Sequence, residues 1–155
     1  MALKLLDTCA ILLPVMTCQR LGLHAKARGE LTEIRFLLLA ASLGLVVCKP
    51  WGDSQPFDFI IYCKRSRRCY RIQAKSSSFR RRTQYEVTTT RSNVRRLYSK
   101  RQIDFLVAYI VPENAWYLIP IRALGKRKVI GVYPQNPQSR GMFEKYRDCW
   151  QLLSR

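Results

Sequence analysis

The chain has few acidic residues, and this shortage limits what the protein can do. Its 155 residues include only 10 Asp and Glu against 28 Lys and Arg, so the formal net charge is +18 at pH 7. A small domain with this imbalance repels itself unless an external anion balances it. Nucleic acid is the polyanion that best fits such a composition, and an anionic membrane surface is the alternative.

The chain also lacks the usual motifs for zinc and disulfides. Its six cysteines form no C-x-x-C pair, and His24 is the only histidine. A structural zinc site and a disulfide framework are therefore not expected, and the cysteines suit free thiols in a reducing cytoplasm. Hydrophobic residues make up 48% of the sequence, which is enough for a domain of this length to bury a core.

The N-terminus is apolar but does not predict a membrane span. Asp7 and Pro14 interrupt it, and it falls far short of the roughly 18 apolar residues that indicate a spanning helix. We expect residues 1–26 to form an apolar extension outside the core. Residues 27–155 are then expected to form a single domain.

Hydrophobic periodicity predicts an α/β fold. Apolar residues at helical spacing predict a helix from Gly29 to Leu43. Shorter apolar runs predict strands in "LVVCKP", "YEVTTT" and "KVIGVYP", and hairpins formed by "FDFIIYC" with "CYRIQAK" and by "IDFLVAYIV" with "AWYLIPI". The amphipathic segment "MFEKYRDCWQLL" predicts a closing helix. We therefore expect a mixed central β-sheet flanked by an N-terminal and a C-terminal helix.

The first hairpin brings polar residues together. If its centre lies between Ser66 and Arg67, Asp58 faces Lys75 across the ribbon, directly or one diagonal step apart, and Gln73 shares their face. A slip by one residue would move one strand's set to the other face. The strand period of two thus predicts one polar face that carries an acid, an amide and an amine.

These side chains, with Glu33 of the first helix, suit phosphodiester hydrolysis. Two carboxylates and an amide oxygen can hold a hard ion such as Mg²⁺. Such an ion activates water and polarises a phosphoryl oxygen, and Lys75 can orient or deprotonate the attacking water. The structural alternatives are an ion pair of Glu33 with a nearby arginine, a strand-start acid at Asp58 and a solvated strand end at Lys75.

Four segments resemble the PD-(D/E)xK nuclease superfamily. The segments "QPFDFII" and "YRIQAKS" are similar to its core motif, an acid at a strand start followed, after a hairpin, by acid-x-Lys on the partner strand. The segment "RGELTE" resembles the G-x-x-x-E of the first helix in many members, including archaeal Holliday-junction resolvases. The segment "RQIDFLVAYIVPENAWYLIPI" resembles the next hairpin of bacterial group I intron-associated endonucleases. The resemblance covers Arg28 to Arg122 and implies a restriction-endonuclease-like core.

The resemblance also implies roles for individual residues. Glu33, Asp58 and Gln73 are expected to hold a divalent metal, Mg²⁺ or alternatively Mn²⁺, and Lys75 is expected to be the catalytic lysine. Gln73 departs from the family pattern, which has Asp or Glu at this position. An amide oxygen can coordinate a metal but carries no charge, so we expect weaker metal binding.

Three basic runs surround the candidate site in sequence. The chain holds too few acids to pair with all of these cations, so they are expected to contact nucleic-acid phosphates. The residues concerned are Lys64, Arg65, Arg67, Arg68, Arg80, Arg81, Arg82, Arg95 and Arg96. Trp51, near the site, is expected to pack in the core rather than touch a base, and Asp104 is expected to be structural.

Taken together, these features predict a cytoplasmic Mg²⁺-dependent endonuclease that cuts double-stranded DNA, with homing as one candidate setting. Cutting both strands is simplest with two sites related by a twofold axis, so we expect a homodimer or higher homo-oligomer. One alternative is a noncatalytic, basic nucleic-acid-binding protein that keeps the nuclease fold. A third interpretation is a basic membrane-surface protein anchored by its N-terminus.

Overall fold

A long N-terminal helix covers one face of the sheet. The computed structural model describes residues 24–52, 54–91, 95–136 and 138–154. Helix α1 spans Ala25–Ser42, so it begins before the predicted Gly29, and it ends close to Gly44, whose φ of +75° suits glycine. Phe36 and Ala40 of this helix are fully buried. No helix among the described residues is both long and apolar enough to cross a membrane.

The described residues form eight strands in two sheets. The strands span Val46–Cys48 (β1), Phe59–Cys63 (β2), Arg68–Ser77 (β3), Arg80–Arg81 (β4), Gln84–Thr88 (β5), Phe105–Ile110 (β6), Ala115–Pro120 (β7) and Val129–Val132 (β8). The central sheet has the order β1-β2-β3-β6-β7, and the smaller sheet has the order β4-β5-β8. Strands β3 and β6 are parallel, whereas every other pair is antiparallel. The predicted mixed central sheet is therefore confirmed.

Both faces of the central sheet are covered. Strand β6 is buried along its whole length, and its alternate residues point to opposite sides. Phe105 and Val107 pack with helix α1, whereas Leu106 and Ala108 pack with the smaller sheet. A short helix α2, Ile121–Leu124, follows β7. The result is three layers: helix α1, the central sheet and the smaller sheet.

The predicted C-terminal helix is wrong. The segment forms two 3₁₀ turns, Glu144–Tyr146 and Trp150–Leu153, with extended backbone at Arg147 and a left-handed Asp148 (φ +48°) between them. Arg147 forms a bridge with Tyr117 of β7, and the Asp148 N–H donates to the Trp116 carbonyl at 2.8 Å. Backbone pairing with the edge of the central sheet thus replaces helical hydrogen bonds, and it divides the aromatic side chains of this segment between both faces of the sheet.

The predicted centre of the first hairpin is displaced by one residue. Cys63 pairs with Arg68 and Phe59 with Ile72, so the turn comprises residues 64–67, with Arg67 at φ +55°. Moving the centre by one residue moves every pair by two, which keeps each side chain on its face. The predicted polar face therefore survives, although the partner of each residue changes.

A partly exposed ion pair anchors β3 to the turn before β6. The Asp104 carboxylate accepts from the Arg71 backbone N–H at 2.8 Å and from the guanidinium at 3.0 Å. The same guanidinium donates to the Lys100 carbonyl at 2.9 Å and to the Arg101 carbonyl. Arg71 holds the pKa of Asp104 below its usual value, against the effect of burial. Asp104 is therefore structural, as the sequence predicts.

Candidate active site

Asp58, Gln73 and Lys75 meet on the face of the β2–β3 hairpin that is turned towards the smaller sheet. Gln73 lies beside Leu106 and Lys75 beside Ala108 in the parallel register of β3 and β6. Those two apolar residues belong to the core under the smaller sheet. The polar set thus lies at the border of this core, where side chains are partly withdrawn from water.

Asp58 is held by the neighbouring strand. Its backbone N–H donates to the Ile72 carbonyl at 2.8 Å, next to the Phe59–Ile72 pair at which the β2–β3 register ends. Its Oδ2 accepts from the Ala74 backbone N–H at 2.7 Å and from Gln73 Nε2 at 2.6 Å. Lys75 lies two residues beyond Gln73, on the same face of β3, and its charge acts on Asp58.

The environment of Asp58 disfavours its charge. Its pKa is raised from 3.8 to about 6 in total; burial is the largest cause, and the carboxylate of Glu33 also raises it. The hydrogen bonds from Ala74 and Gln73 and the charge of Lys75 lower it, but they do not offset burial. A buried carboxylate with an upward-shifted pKa at a polar border is a common feature of functional sites.

The Asp58→Asn variant is expected to stabilise the protein when no metal is present. Between about pH 4 and pH 6 the folded state keeps a proton on Asp58 that the unfolded chain releases, so stability falls as the pH rises through this window. Asparagine removes this loss. At pH 8 we expect Tm to rise by about 5 °C, and below pH 4 the difference should vanish.

Thermal unfolding in EDTA at pH 3.5 and pH 8 measures this effect. The matched control is Glu30→Gln, which removes an exposed carboxylate from the same region of the chain. A difference in Tm between Asp58→Asn and the wild type that is equal at both pH values would show that burial does not penalise the Asp58 charge.

Lys75 lies between the acid and an aromatic ring. Burial lowers its pKa, and the nearby charge of Asp58 raises it. Its Nζ lies 5.9 Å from the centre of the Tyr98 ring. Burial, with the charge of Asp58 as a second cause, raises the Tyr98 pKa to about 12, so this phenol stays neutral. Tyr98 was not singled out from the sequence, because it lies outside the strands that carry the motif.

Glu33 reaches the site from helix α1. Its Oε2 accepts from Lys49 Nζ at 2.8 Å, and its charge raises the Asp58 pKa. The ion pair predicted as the structural alternative therefore exists, with a lysine instead of an arginine. Lys49 is largely exposed, so this contact is weak and can be exchanged for a cation held in the site.

The residues present fit a divalent cation, but they offer it one negative charge fewer than the PD-(D/E)xK pattern does. Among the described residues, no group of three or more His, Cys, Asp and Glu is arranged to hold a metal ion. Glu33 and Asp58 supply two carboxylates, and Gln73 supplies an amide in the third position. The Gln73 NH₂ donates to Asp58 and to the Ala74 carbonyl. The amide would have to turn over to present its oxygen to an ion.

The basic runs are distributed unevenly around this site. Residues 64–68 lie at the turn of the β2–β3 hairpin, whereas Asp58 lies at its other end, about 17 Å away at the usual strand rise. Arg80 and Arg81 form β4, and they follow Phe79, which lines an open cleft of about 290 Å³ with Lys75, Ser77 and Glu86. Arg95 and Arg96 are exposed on the loop before β6.

Trp51 is fully exposed, so the expectation that it packs in the core is wrong. It precedes Gly52, whose φ is +73°, in the loop that leads to Asp58. Glu86, a further acid in the cleft, was also missed from sequence. It lies on β5, far along the chain from the motif, and it pairs with Arg81 at 3.4 Å.

The arrangement of these residues is typical of the restriction-endonuclease-like fold: an acid precedes one strand of a hairpin, an amide and a lysine lie on the next strand, and a glutamate comes from the first helix. The chain belongs to the PD-(D/E)XK endonuclease family, whose model matches residues 23–153. The bacterial homing endonuclease I-Ssp6803I has a similar structure, with a TM-score of 0.71 and 25% identity over 84% of this chain and 93% of that chain. Comparison with curated proteins gives no significant match.

Proposed function

We propose that this protein is a Mg²⁺-dependent endonuclease that hydrolyses phosphodiester bonds in double-stranded DNA, as a homing enzyme. The observation that carries the proposal is the position of Lys75 beside the partly buried Asp58 and its hydrogen-bonded partner Gln73. The net charge of +18 supports a polyanionic substrate. The similarity to a homing endonuclease supports DNA as that substrate and homing as its setting.

Each residue of the site then has a distinct task. Asp58 and Glu33 would hold the Mg²⁺, with the Gln73 oxygen as a neutral third ligand, and the bound ion would supply Lewis-acid charge to the phosphoryl group. Burial lowers the pKa of Lys75, so its amine gives up its proton more readily than an exposed lysine does. Neutral Lys75 can take a proton from the attacking water, and protonated Lys75 can stabilise the charge that develops on the phosphate.

Cleavage of supercoiled plasmid and of pooled random-sequence duplexes, with Mg²⁺, Mn²⁺ or EDTA, tests this proposal. We expect cutting with either metal and none in EDTA. Direct conversion of supercoiled plasmid to the linear form, without accumulation of nicked circles, would support the proposed homodimer. Equal cutting in EDTA and in Mg²⁺ would overturn the proposed metal dependence.

Gln73 favours one competing function. Because an amide occupies the third ligand position, the chain can retain the nuclease fold as a noncatalytic nucleic-acid-binding protein. That candidate predicts tight, salt-sensitive duplex binding, no cleavage with either metal, and no Mg²⁺-dependent change in stability.

A further inference from the structure

A second depression adjoins the cleft that contains Lys75. We call it the basic pocket, and it has a volume of about 430 Å³. Its lining residues are Thr88, Thr90, Arg91, Arg95, Lys128 and Val129. Thr88 also lines the Lys75 cleft, so the two depressions share a wall.

Backbone hydrogen bonds hold the two segments that form this pocket. Strands β5 and β8 pair Thr88 with Val129, and the Thr89 N–H donates to the Lys128 carbonyl at 3.0 Å. The Thr89 hydroxyl donates to the Arg127 carbonyl. The buried Thr89 thus fixes the start of β8, where Lys128 lies.

The loop on the other side of the pocket is closed by its own backbone. Thr90 forms a bridge with Leu97, the Arg91 N–H donates to the Arg96 carbonyl at 2.9 Å, and the Arg95 N–H donates to the Arg91 carbonyl at 2.9 Å. The backbone of Arg95 is left-handed, with φ +48°. These contacts fix the backbone positions from which both arginine side chains reach the pocket.

The charge of the basic pocket is not neutralised within the described part of the chain. The residues that line it include no carboxylate, and the ion pairs among the described residues involve other cations, Lys49, Arg71, Arg81 and Arg147. Three cations around one depression repel each other, so an anion placed there is stabilised by all of them. The threonine hydroxyls add neutral hydrogen-bond donors of the kind that bind phosphate oxygens.

A charge in the basic pocket acts on a residue of the candidate active site. The charge of Arg91 lowers the pKa of Tyr98, the residue whose ring lies 5.9 Å from Lys75 Nζ. Thr88 connects the two depressions on the other side. An anion in the pocket would therefore lie beside a phosphate placed at Lys75.

We propose that Arg91, Arg95 and Lys128 bind a backbone phosphodiester of duplex DNA, close to the phosphate that is cut. The inference rests on the proposed function, which places the scissile phosphate at Lys75. A phosphate held here fixes the register of the strand over the active site and carries no sequence information itself. Arg91 and Lys128, which directly precedes β8, are the new elements, since the sequence predicted a phosphate contact only for Arg95 among these three.

Binding of a pool of random-sequence 30-base-pair duplexes, measured in EDTA over a range of NaCl concentrations, tests the pocket without requiring cleavage. For Lys128→Gln we expect the slope of log Kd against log [NaCl] to fall by about one, which corresponds to one lost phosphate contact. Lys128→Arg should keep the slope. The matched control is Lys145→Gln, which removes an equally exposed lysine from the C-terminal segment and should leave the slope unchanged.

Equal slopes for Lys128→Gln, Lys145→Gln and the wild type would overturn the pocket, and so would an equal loss in both variants, because that loss would reflect net charge alone. Thermal unfolding of each variant confirms that it is folded. If Lys128→Gln reduces the salt slope but the wild type shows no metal-dependent cleavage, the phosphate site is supported and the proposed hydrolysis is wrong. If the wild type cleaves DNA but Lys128→Gln leaves the salt slope unchanged, the proposed hydrolysis is supported and the phosphate site is wrong.

Discussion

Replacing Lys75 by alanine is expected to reduce Mg²⁺-dependent cleavage by about 10³-fold, which is the usual size of a lost acid–base contribution. The side chain is the amine beside Asp58, and burial lowers its pKa. Duplex affinity in EDTA should change by less than about tenfold, because at most one phosphate contact is lost. Plasmid cleavage and duplex binding, measured on the same preparations, separate the two effects.

Two further substitutions sharpen this result. Lys75→Arg keeps a positive charge, but a guanidinium does not give up its proton at accessible pH. If Lys75 takes a proton from water, the arginine variant should be nearly as inactive as the alanine variant. If it supplies charge only, the arginine variant should keep much of its activity. Lys145→Ala is the matched control and should cut like the wild type, whereas full cleavage by Lys75→Ala would remove Lys75 from the mechanism.

Replacing Gln73 by glutamate is expected to have opposite effects with and without metal. Gln73 Nε2 donates a hydrogen bond to Asp58 Oδ2 at 2.6 Å. A glutamate at position 73 would replace this donor by a carboxylate oxygen, so two carboxylates would lie at hydrogen-bond distance with no proton between them. Like charges at this distance raise each other's pKa and destabilise the fold. In EDTA at pH 8 we expect Tm to fall by about 5 °C.

Divalent metal should reverse this loss. A third carboxylate adds a charged ligand, so we expect the Mg²⁺ concentration for half-maximal stabilisation to fall by about tenfold or more. Thermal unfolding over a Mg²⁺ titration measures both effects. Gln73→Met, which removes the amide without adding charge, serves as the control and should not bind Mg²⁺ more tightly. A Gln73→Glu variant that loses stability in EDTA and gains no Mg²⁺ affinity would place Gln73 outside the metal site.

The polar face of the β2–β3 hairpin could be predicted from the sequence, but which residues of the two strands lie opposite each other could not. Alternation along a strand puts Gln73 and Lys75 on one side whatever the partner strand does. The pairing depends on the turn, where Arg67 adopts φ +55°. A left-handed arginine has no sequence signal as clear as a glycine would give, so the predicted centre was displaced by one residue.

The C-terminal segment shows where local pattern was misleading. Its apolar spacing is helical, but the Asp148 N–H has a better partner in the Trp116 carbonyl at 2.8 Å. Backbone pairing with a strand that is remote in sequence outweighed helix propensity, which is a weak preference over a segment of this length. The exposure of Trp51 could not be predicted from its residue type either, because burial depends on which segments pack against a side chain in the folded protein.

By itself, the sequence determined the net charge, the order of most strands and the shared face of Gln73 and Lys75, because these properties depend only on residue type and on position along the chain. The strand register decided that Asp58 joins this face. The tertiary structure alone decided that Asp58 is buried enough for a pKa of about 6. It also decided that the basic pocket lies next to the Lys75 cleft. Burial and electrostatic proximity arise from segments distant in sequence, and only the packing of the two sheets brings those segments together.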